Sequence, residues 1–192
     1  MSRGRAPRAC QTWIALLRGV NVVGRRTLPM RQLVATLERA GLRSVRTYIQ
    51  SGNVVFQSTR GGARALAAQI ARLIGRRFGF EPQVMVLSRA QLAAANRGNP
   101  FAAAVAEPRS LHLFFLSARP VRPDLGTLTR LRSGGEAFAL QGAVFYLHTP
   151  AGFPQSQLRA KIERCLAVHA TARNWRTVNR LLAMARGAAA RE

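Results

Sequence analysis

Two groups of polar residues are the best candidates in this chain for binding a ligand. Both follow apolar runs, and both combine guanidinium groups and side-chain amides, with a hydroxyl in the first. Donors of this kind suit an anion such as a phosphate or a carboxylate. The first group comprises Arg18, Asn21, Gln50, Ser51 and Asn53, and the second comprises Arg173 and Asn174. We therefore expect a small anionic or nucleotide-like ligand.

A purely structural role is the alternative for the first group. Tyr48-Ile49 and Val54–Phe56 are typical of two short strands joined by a polar turn at Gly52. Turn chemistry explains the glycine and part of the need for Asn53, but it does not explain Gln50. Hydrogen bonds that tie the loop after the first strand to this hairpin would also explain the polar residues, because buried loop groups need partners. Both interpretations remain open at this stage.

The first half of the sequence predicts a βαββαβ unit. A strand is expected at Trp13–Leu17, followed by a helix that starts near Pro29 and stops at Gly41. The hairpin comes next, then an amphipathic helix with Leu66, Ile70, Leu73, Ile74 and Phe78 on one face, and a strand at Val84–Leu87. A short helix at Ser88–Asn96 precedes a linker at residues 97–109.

The second half repeats the pattern. Strands are predicted at Leu111–Leu116, Ala137–Leu140, Val144–His148 and Val168–Thr171, with helices around Leu125–Leu131 and Leu158–Leu166 and a last helix from Trp175. The predicted fold class is α+β, with two ferredoxin-like βαββαβ subdomains that have antiparallel sheets, plus a C-terminal helix. The domain prediction is a flexible basic leader at 1–12, a first subdomain at 13–96, the linker at 97–109 and a second subdomain with the final helix at 110–192.

The topology of such a unit brings the polar residues of each group together. The first two strands run parallel, so their carboxyl ends share one edge of the sheet, beside the positive end of the helix that starts near Pro29. In the second half, the loop Pro150–Ser156 follows the third strand, and Arg173 with Asn174 is expected to follow the fourth. Asn174 suits a helix N-cap, Trp175 suits the core, and Arg173 is the stronger functional candidate.

The charge of the chain predicts an attraction to polyanions. Its 192 residues include 30 basic and 7 acidic ones, a net charge of +23, and Lys161 is the single lysine. A GC-rich genome would also favour arginine, so the excess has a compositional explanation. Weak, salt-dependent and sequence-nonspecific nucleic-acid binding is the rival function, and a structural or interaction domain without a ligand is a third. Base stacking on an RRM-like sheet is disfavoured, because the third strand offers only Phe56.

Several function classes lack support in the sequence. The longest apolar runs are too short to span a bilayer, and no membrane partner is expected. Cys10 and Cys165 are expected to be free thiols of a cytoplasmic protein. The three histidines and seven carboxylates show no clustering, and no phosphate-loop, dinucleotide or nucleophile motif occurs, so no metal, cofactor or catalytic residue is predicted and enzyme activity stays undecided.

Six segments together resemble the domain of unknown function (DUF) 1697 family. They are IALLRGVNVVGRRTLPM, VRTYIQSGNVVF, NPF, LHLFFL, VFYLHTPAGFPQSQL and ATARNWRTVNRLLAMA, in the family's order, from about Trp13 to Ala185. The resemblance implies a pair of ferredoxin-like α+β subdomains and no established activity. Val23 stands where the family pattern has a glycine, and Gln157 stands where it has a lysine.

Overall fold

The structure is a computed structural model that describes residues 10–22 and 26–189. The chain divides into two compact units. Among the described residues, 10–22, 26–92 and 181–189 belong to the first unit, and 93–180 belong to the second. Residues 1–9 of the predicted leader at 1–12, and Val23, lie outside the described residues.

The first unit is the predicted βαββαβ unit. Its elements are β1 (Gln11–Leu17), α1 (Met30–Arg39), β2 (Arg43–Tyr48), β3 (Asn53–Ser58), α2 (Ala63–Phe78) and β4 (Val84–Ser88). The sheet order is β2-β3-β1-β4, with every neighbouring pair antiparallel. One face of this sheet carries Trp13, Leu17 and Phe56, which pack with Leu33 and Ile70 of the two helices in a continuous apolar core.

The second unit repeats this topology. It begins within α3 (Arg89–Arg97) and continues with a short 3-10 helix at Ala102–Ala106, β5 (Leu111–Leu116), α4 (Leu125–Leu131), β6 (Ala137–Gln141), β7 (Val144–His148), a 3-10 turn at Phe153–Gln155, α5 (Leu158–Leu166), β8 (Ala170–Asn174) and α6 (Trp175–Ala189). The sheet order is β6-β7-β5-β8, again antiparallel throughout. The predicted fold class, two such subdomains and a C-terminal helix, is confirmed.

The second face of the first sheet is also buried. Ile14, Leu16 and Val55 lie on it and are fully excluded from solvent. Arg46 shares this face, and its guanidinium donates a hydrogen bond to the carbonyl oxygen of Met184 in α6. The part of α6 from Leu181 onward therefore belongs to the first unit, although its sequence follows the whole of the second.

β1 starts at Gln11, before the expected Trp13, and two other strands, β2 and β8, differ more from the sequence-based expectation. β2 starts at Arg43, well before the expected Tyr48. Its first residues were missed because β2 is an edge strand in which only Val45 is buried, so its sequence shows no apolar alternation. β8 covers Ala170–Asn174, so Arg173 and Asn174 lie inside the strand that they were expected to follow. The cause is the left-handed residue Ala167 (φ 53°) after α5, which leaves Val168 and His169 to a turn.

Candidate anion-binding edge

The turn between β2 and β3 lies directly against the end of β1. The backbone N–H of Leu17 donates to the carbonyl oxygen of Gly52 at 2.8 Å. A Cβ atom at Gly52 would lie 2.7 Å from the Cβ atom of Leu17 and 2.7 Å from a methyl carbon of Val20, and its φ of +71° is one that side chains disfavour. Only glycine therefore fits at this position. The close packing against β1 requires it in addition to the conformation of the turn.

Asn21 ties the loop after β1 to this turn. Its Nδ2 donates to the carbonyl oxygens of Gln50 at 2.7 Å and Leu28 at 3.0 Å. Its Oδ1 accepts from the backbone N–H of Leu28 at 2.7 Å. The two donors and one acceptor site of the amide thus form hydrogen bonds within the protein. Of the two interpretations left open by the sequence, the structural one accounts for Asn21.

Asn53 has a similar internal role at the start of β3. Its side chain is completely buried, and Nδ2 donates to the carbonyl oxygen of Tyr48 at 3.2 Å and to Oγ of Ser51 at 2.8 Å. Ser51 and Gln50 themselves are exposed at the tip of the turn. The two asparagines therefore fix the backbone that presents the Gln50 amide and the Ser51 hydroxyl to solvent.

Arg18 lies between this turn and the segment that leads into β4. Its backbone N–H donates to the carbonyl oxygen of Gln83 at 2.9 Å, and its Nη1 donates to Oε1 of Gln83 at 3.2 Å. The Arg18 side chain remains partly exposed. The guanidinium is a cationic donor group of the kind that attracts carboxylates and phosphates.

Two more basic residues border the same edge. Nη1 of Arg26 lies 3.5 Å from the position that a Cβ atom at Gly19 would occupy, so its guanidinium rests over this glycine. α1 begins at Met30 without a side-chain cap, and Arg31 in its first turn is exposed. We call residues 18–22, 26–31 and 49–53 the first loop edge. None of these residues is acidic, so the edge has a positive charge.

The second polar group and the Pro150–Ser156 loop lie on the two sides of the start of β5. Leu111 pairs with His148 at the end of β7, and His112 pairs with Asn174 at the end of β8. Oδ1 of Asn174 accepts from the backbone N–H of Thr177 at 2.9 Å, which confirms the predicted N-cap. The expected neighbourhood of the two segments is thus observed.

Arg173 is a partly exposed residue within β8. Its Nη1 donates to Oγ1 of Thr171 at 2.9 Å and to the carbonyl oxygen of Ala172 at 2.7 Å. Burial lowers the pKa of the Arg173 guanidinium to about 10, because a buried charge loses hydration. The group is still charged at neutral pH.

Phe153, in the Pro150–Ser156 loop, stacks on a histidine of β5. Its ring centroid is 3.9 Å from that of His112, at an interplanar angle of 18°. Burial lowers the pKa of His112 to about 4, which keeps its imidazole neutral at physiological pH. Nδ1 of His112 and Oγ of Ser156 are buried without a hydrogen-bond partner. The sequence predicts that the Pro150–Ser156 loop lies close to Arg173 and Asn174, but it does not indicate that His112 contacts this loop.

A shallow cavity of about 380 Å³ lies at the other end of the second sheet, where none of the predicted residues is found. It is lined by Ser117, Glu163, Arg164, Ala167, Val168 and His169. The backbone N–H of Ser117, which follows β5, donates to the carbonyl oxygen of His169 at 2.8 Å. The bond between Arg18 after β1 and Gln83 before β4 is its counterpart in the first unit. The cavity therefore corresponds in the fold to the place where Arg18 meets the segment that leads into β4.

Neither a metal centre nor a membrane span is found among the described residues. Within 10–22 and 26–189, no three His, Cys, Asp or Glu side chains are grouped so that they could hold a metal ion. No helix in this part of the chain is long and apolar enough to cross a bilayer.

Arg26, in the first loop edge, and Gln83, which accepts a hydrogen bond from Arg18 of that edge, were not predicted from the sequence. Topology could have indicated Gln83, because β4 is antiparallel to β1 and must start where β1 ends. Nothing in the sequence marks Arg26, since its position depends on the left-handed backbone at Asn21 and at Arg26 itself.

Comparisons with known proteins identify a family and a fold. The profile of a family described as "Protein of unknown function (DUF1697)" matches residues 10–146. The structure of a conserved bacterial protein from Streptococcus pneumoniae is similar, with a TM-score of 0.69 and 22% sequence identity, over 92% of this chain and 99% of that one. No curated protein matches the chain. At this identity the likeness extends to the fold alone.

Proposed function

The chain belongs to the DUF1697 family of proteins of unknown function, and from this starting point we propose that its first unit binds a small anionic ligand at the first loop edge. The ligand class is a phosphate or carboxylate compound, including a nucleotide. Arg18, Gln50 and Ser51 contact the ligand, while Asn21 and Asn53 hold the loops that carry them.

The arrangement of Asn21 is the observation that carries this proposal. Its three hydrogen bonds join two loops into one fixed edge, on which Gln50 is exposed. Arg18 follows β1 at the same end of the sheet and is partly exposed. A fixed edge lowers the entropic cost of binding, because the donors are already in place. The start of α1, which lacks a side-chain cap, adds backbone N–H groups of favourable polarity to the same surface.

The proposal assigns a smaller part to the second group. The charge of Arg173 attracts anions to the second unit, while the Asn174 side chain serves as the cap of α6. Two free thiols, Cys10 and Cys165, are compatible with a reducing compartment, and we propose a cytoplasmic location.

Chemical-shift mapping with inorganic phosphate and with a nucleoside monophosphate tests the proposal. We expect amide shifts concentrated at 18–22 and 49–53 that saturate with ligand concentration. Arg18→Ala should weaken binding about tenfold or more, since a charge-assisted hydrogen bond is lost. The same variant should change the free energy of unfolding by less than about 0.5 kcal/mol, as for most surface positions.

Arg122→Ala is the matched control, because Arg122 is exposed in the second unit and has no part in either edge. It removes the same charge and should leave the affinity within about twofold. Equal weakening in both variants would show a general charge effect. A loss of stability of about 1–3 kcal/mol in Arg18→Ala would show that this arginine holds the loop instead of serving a ligand.

A further inference from the structure

The exposed side of α2 carries a row of arginines. Arg64, Arg72 and Arg76 are exposed, whereas Leu66, Ile70 and Ile74 on the other side of the helix are fully or almost fully buried in the core of the first unit. We call these three arginines the α2 ridge. The helix is anchored through its apolar side, so the ridge faces solvent on a fixed element.

The spacing of the ridge gives an extended line of charge. At about 1.5 Å of rise per residue, Arg64 and Arg72 are separated by roughly 12 Å along the axis, and Arg72 and Arg76 by roughly 6 Å. At about 100° per residue, the three side chains lie within roughly one third of the helix circumference. A line of this form suits a chain of phosphates better than a single small ion.

Opposing charge is scarce around the ridge. α2 contains no acidic residue, and the nearby acidic residues are Glu38 in α1 and the exposed Glu81, whose side chain lies against Gly75 of α2. α1 packs against α2 in the same layer and adds exposed Arg31 and Arg39. The exposed arginines of the two helices outnumber these two carboxylates, so the layer keeps a positive field.

The remaining exposed residues of α2 narrow the class of partner. Between the arginines the exposed positions are Ala65 and Ala68, which offer no hydrogen-bonding groups to read bases and no large apolar group to enter a bilayer. Helices that lie in membrane interfaces combine a basic face with exposed large apolar residues, and here the apolar residues are spent on the core. Small residues also let a polyanion approach the helix closely.

We propose that the α2 ridge binds the sugar-phosphate backbone of duplex nucleic acid without sequence preference. Each arginine neutralises one phosphate, and the counterions released provide the driving force. This inference goes beyond the small-ligand proposal, because it uses different residues.

The test is the salt dependence of binding to two short DNA duplexes of unrelated sequence. The slope of log affinity against log salt changes by about 0.9 for each phosphate contact. Replacing all three ridge arginines by alanine should therefore flatten the slope by about 2.7, equally on both duplexes. Alanine is the best helix former, so α2 should stay folded, which circular dichroism checks.

The control is the triple variant Arg109→Ala, Arg119→Ala and Arg122→Ala, which removes the same charge from exposed positions of the second unit. We expect its slope to change by less than about 1, since these residues make no phosphate contacts. Equal changes in the two triple variants would overturn the proposal in favour of diffuse attraction by net charge. A strong preference for one duplex would also overturn it, as would ridge-dependent binding to anionic phospholipid vesicles but not to DNA.

Discussion

In the first unit the turn residue that accepts a hydrogen bond from the end of β1 has no room for a side chain, whereas its counterpart in the second unit is an alanine. A Cβ atom at Gly52 would meet Leu17 and Val20 at 2.7 Å, while one at Gly142 would meet nothing within 4 Å. Leu116 nevertheless donates to Ala143 at 3.0 Å, much as Leu17 donates to Gly52 at 2.8 Å. The same backbone hydrogen bond thus excludes a side chain at the turn residue in one unit and accommodates an alanine in the other.

The two units also place their polar groups at opposite ends of equivalent sheets. The first loop edge lies where β1 ends, and the second polar group lies where β5 starts. At the end of β5, the position that corresponds to Arg18 is held by Ser117, which lines the shallow cavity. Repetition of a topology therefore does not repeat a site, because the side chains at equivalent positions decide the chemistry.

The largest effect is expected from the comparison of the two turn glycines. Gly52→Ala combines a left-handed backbone, at about 1–2 kcal/mol, with overpacking against β1, at about 1–3 kcal/mol. We expect a loss of about 3 kcal/mol in the free energy of unfolding, measured by urea denaturation. Gly142→Ala has only the backbone cost, and we expect about 1 kcal/mol. Similar losses in both variants would remove the distinction between the packed and the open turn glycine.

A second prediction concerns acid sensitivity, which the second unit should show at its polar edge. His112 has a pKa of about 4 in the folded protein, against 6.5 for an unburied imidazole. The unfolded chain therefore binds the proton more readily, and stability is complete above about pH 6.5 and falls as the pH drops toward 4. The difference in pKa corresponds to at most about 3 kcal/mol.

His112→Phe tests this prediction, because it can retain the stack on Phe153 and removes the titrating group. We expect a flatter profile of stability against pH between about 6.5 and 4 than in the parent protein. His169→Gln is the control, since this histidine is largely exposed, and it should keep most of the slope. An unchanged slope in His112→Phe would show that other groups cause the acid sensitivity.

The smallest effects separate the two asparagines that were predicted as site residues. Asn21→Ala leaves the N–H and carbonyl of Leu28 and the carbonyl of Gln50 without their partner, so we expect a loss of about 2 kcal/mol. Asn174→Ala loses one cap bond, and we expect about 1 kcal/mol. Thermal unfolding measures both variants.

Asn21→Gly separates the amide from the backbone. Glycine accepts the φ of 54° at this position, so any loss in this variant reports the missing hydrogen bonds. If Asn21→Gly were as stable as the parent protein, the hydrogen bonds of the Asn21 amide would not contribute to the stability of the first loop edge.

The sequence predicts those elements whose apolar pattern is complete. Leu111–Leu116 has the same bounds in sequence and structure, because six buried residues in a row can form little else in this context. β2 is mostly missed, since Arg43, Ser44 and Arg46 show no alternation. β8 starts later than predicted because Ala167 has a left-handed backbone conformation, which the presence of an alanine does not indicate.

The candidate site is predictable to the same extent as its topology. Parallel first and second strands bring Asn21 close to Gln50, and the structure has this contact at 2.7 Å. The direction of each side chain does not follow from topology. That Asn21 points into the protein, and that Arg26 rests over Gly19, depends on local backbone angles that no sequence pattern marks.

The hydrogen bond from Arg46 to Met184 has a consequence for synthesis on the ribosome. The two residues are 138 positions apart, yet both belong to the first unit. At about 5–20 residues per second, Met184 is made roughly 7–28 s after Arg46. Throughout that interval Arg46, on the same face of the first sheet as Ile14, Leu16 and Val55, lacks its partner in α6. The second unit can fold cotranslationally during this time, whereas the first is completed last, although it is made first.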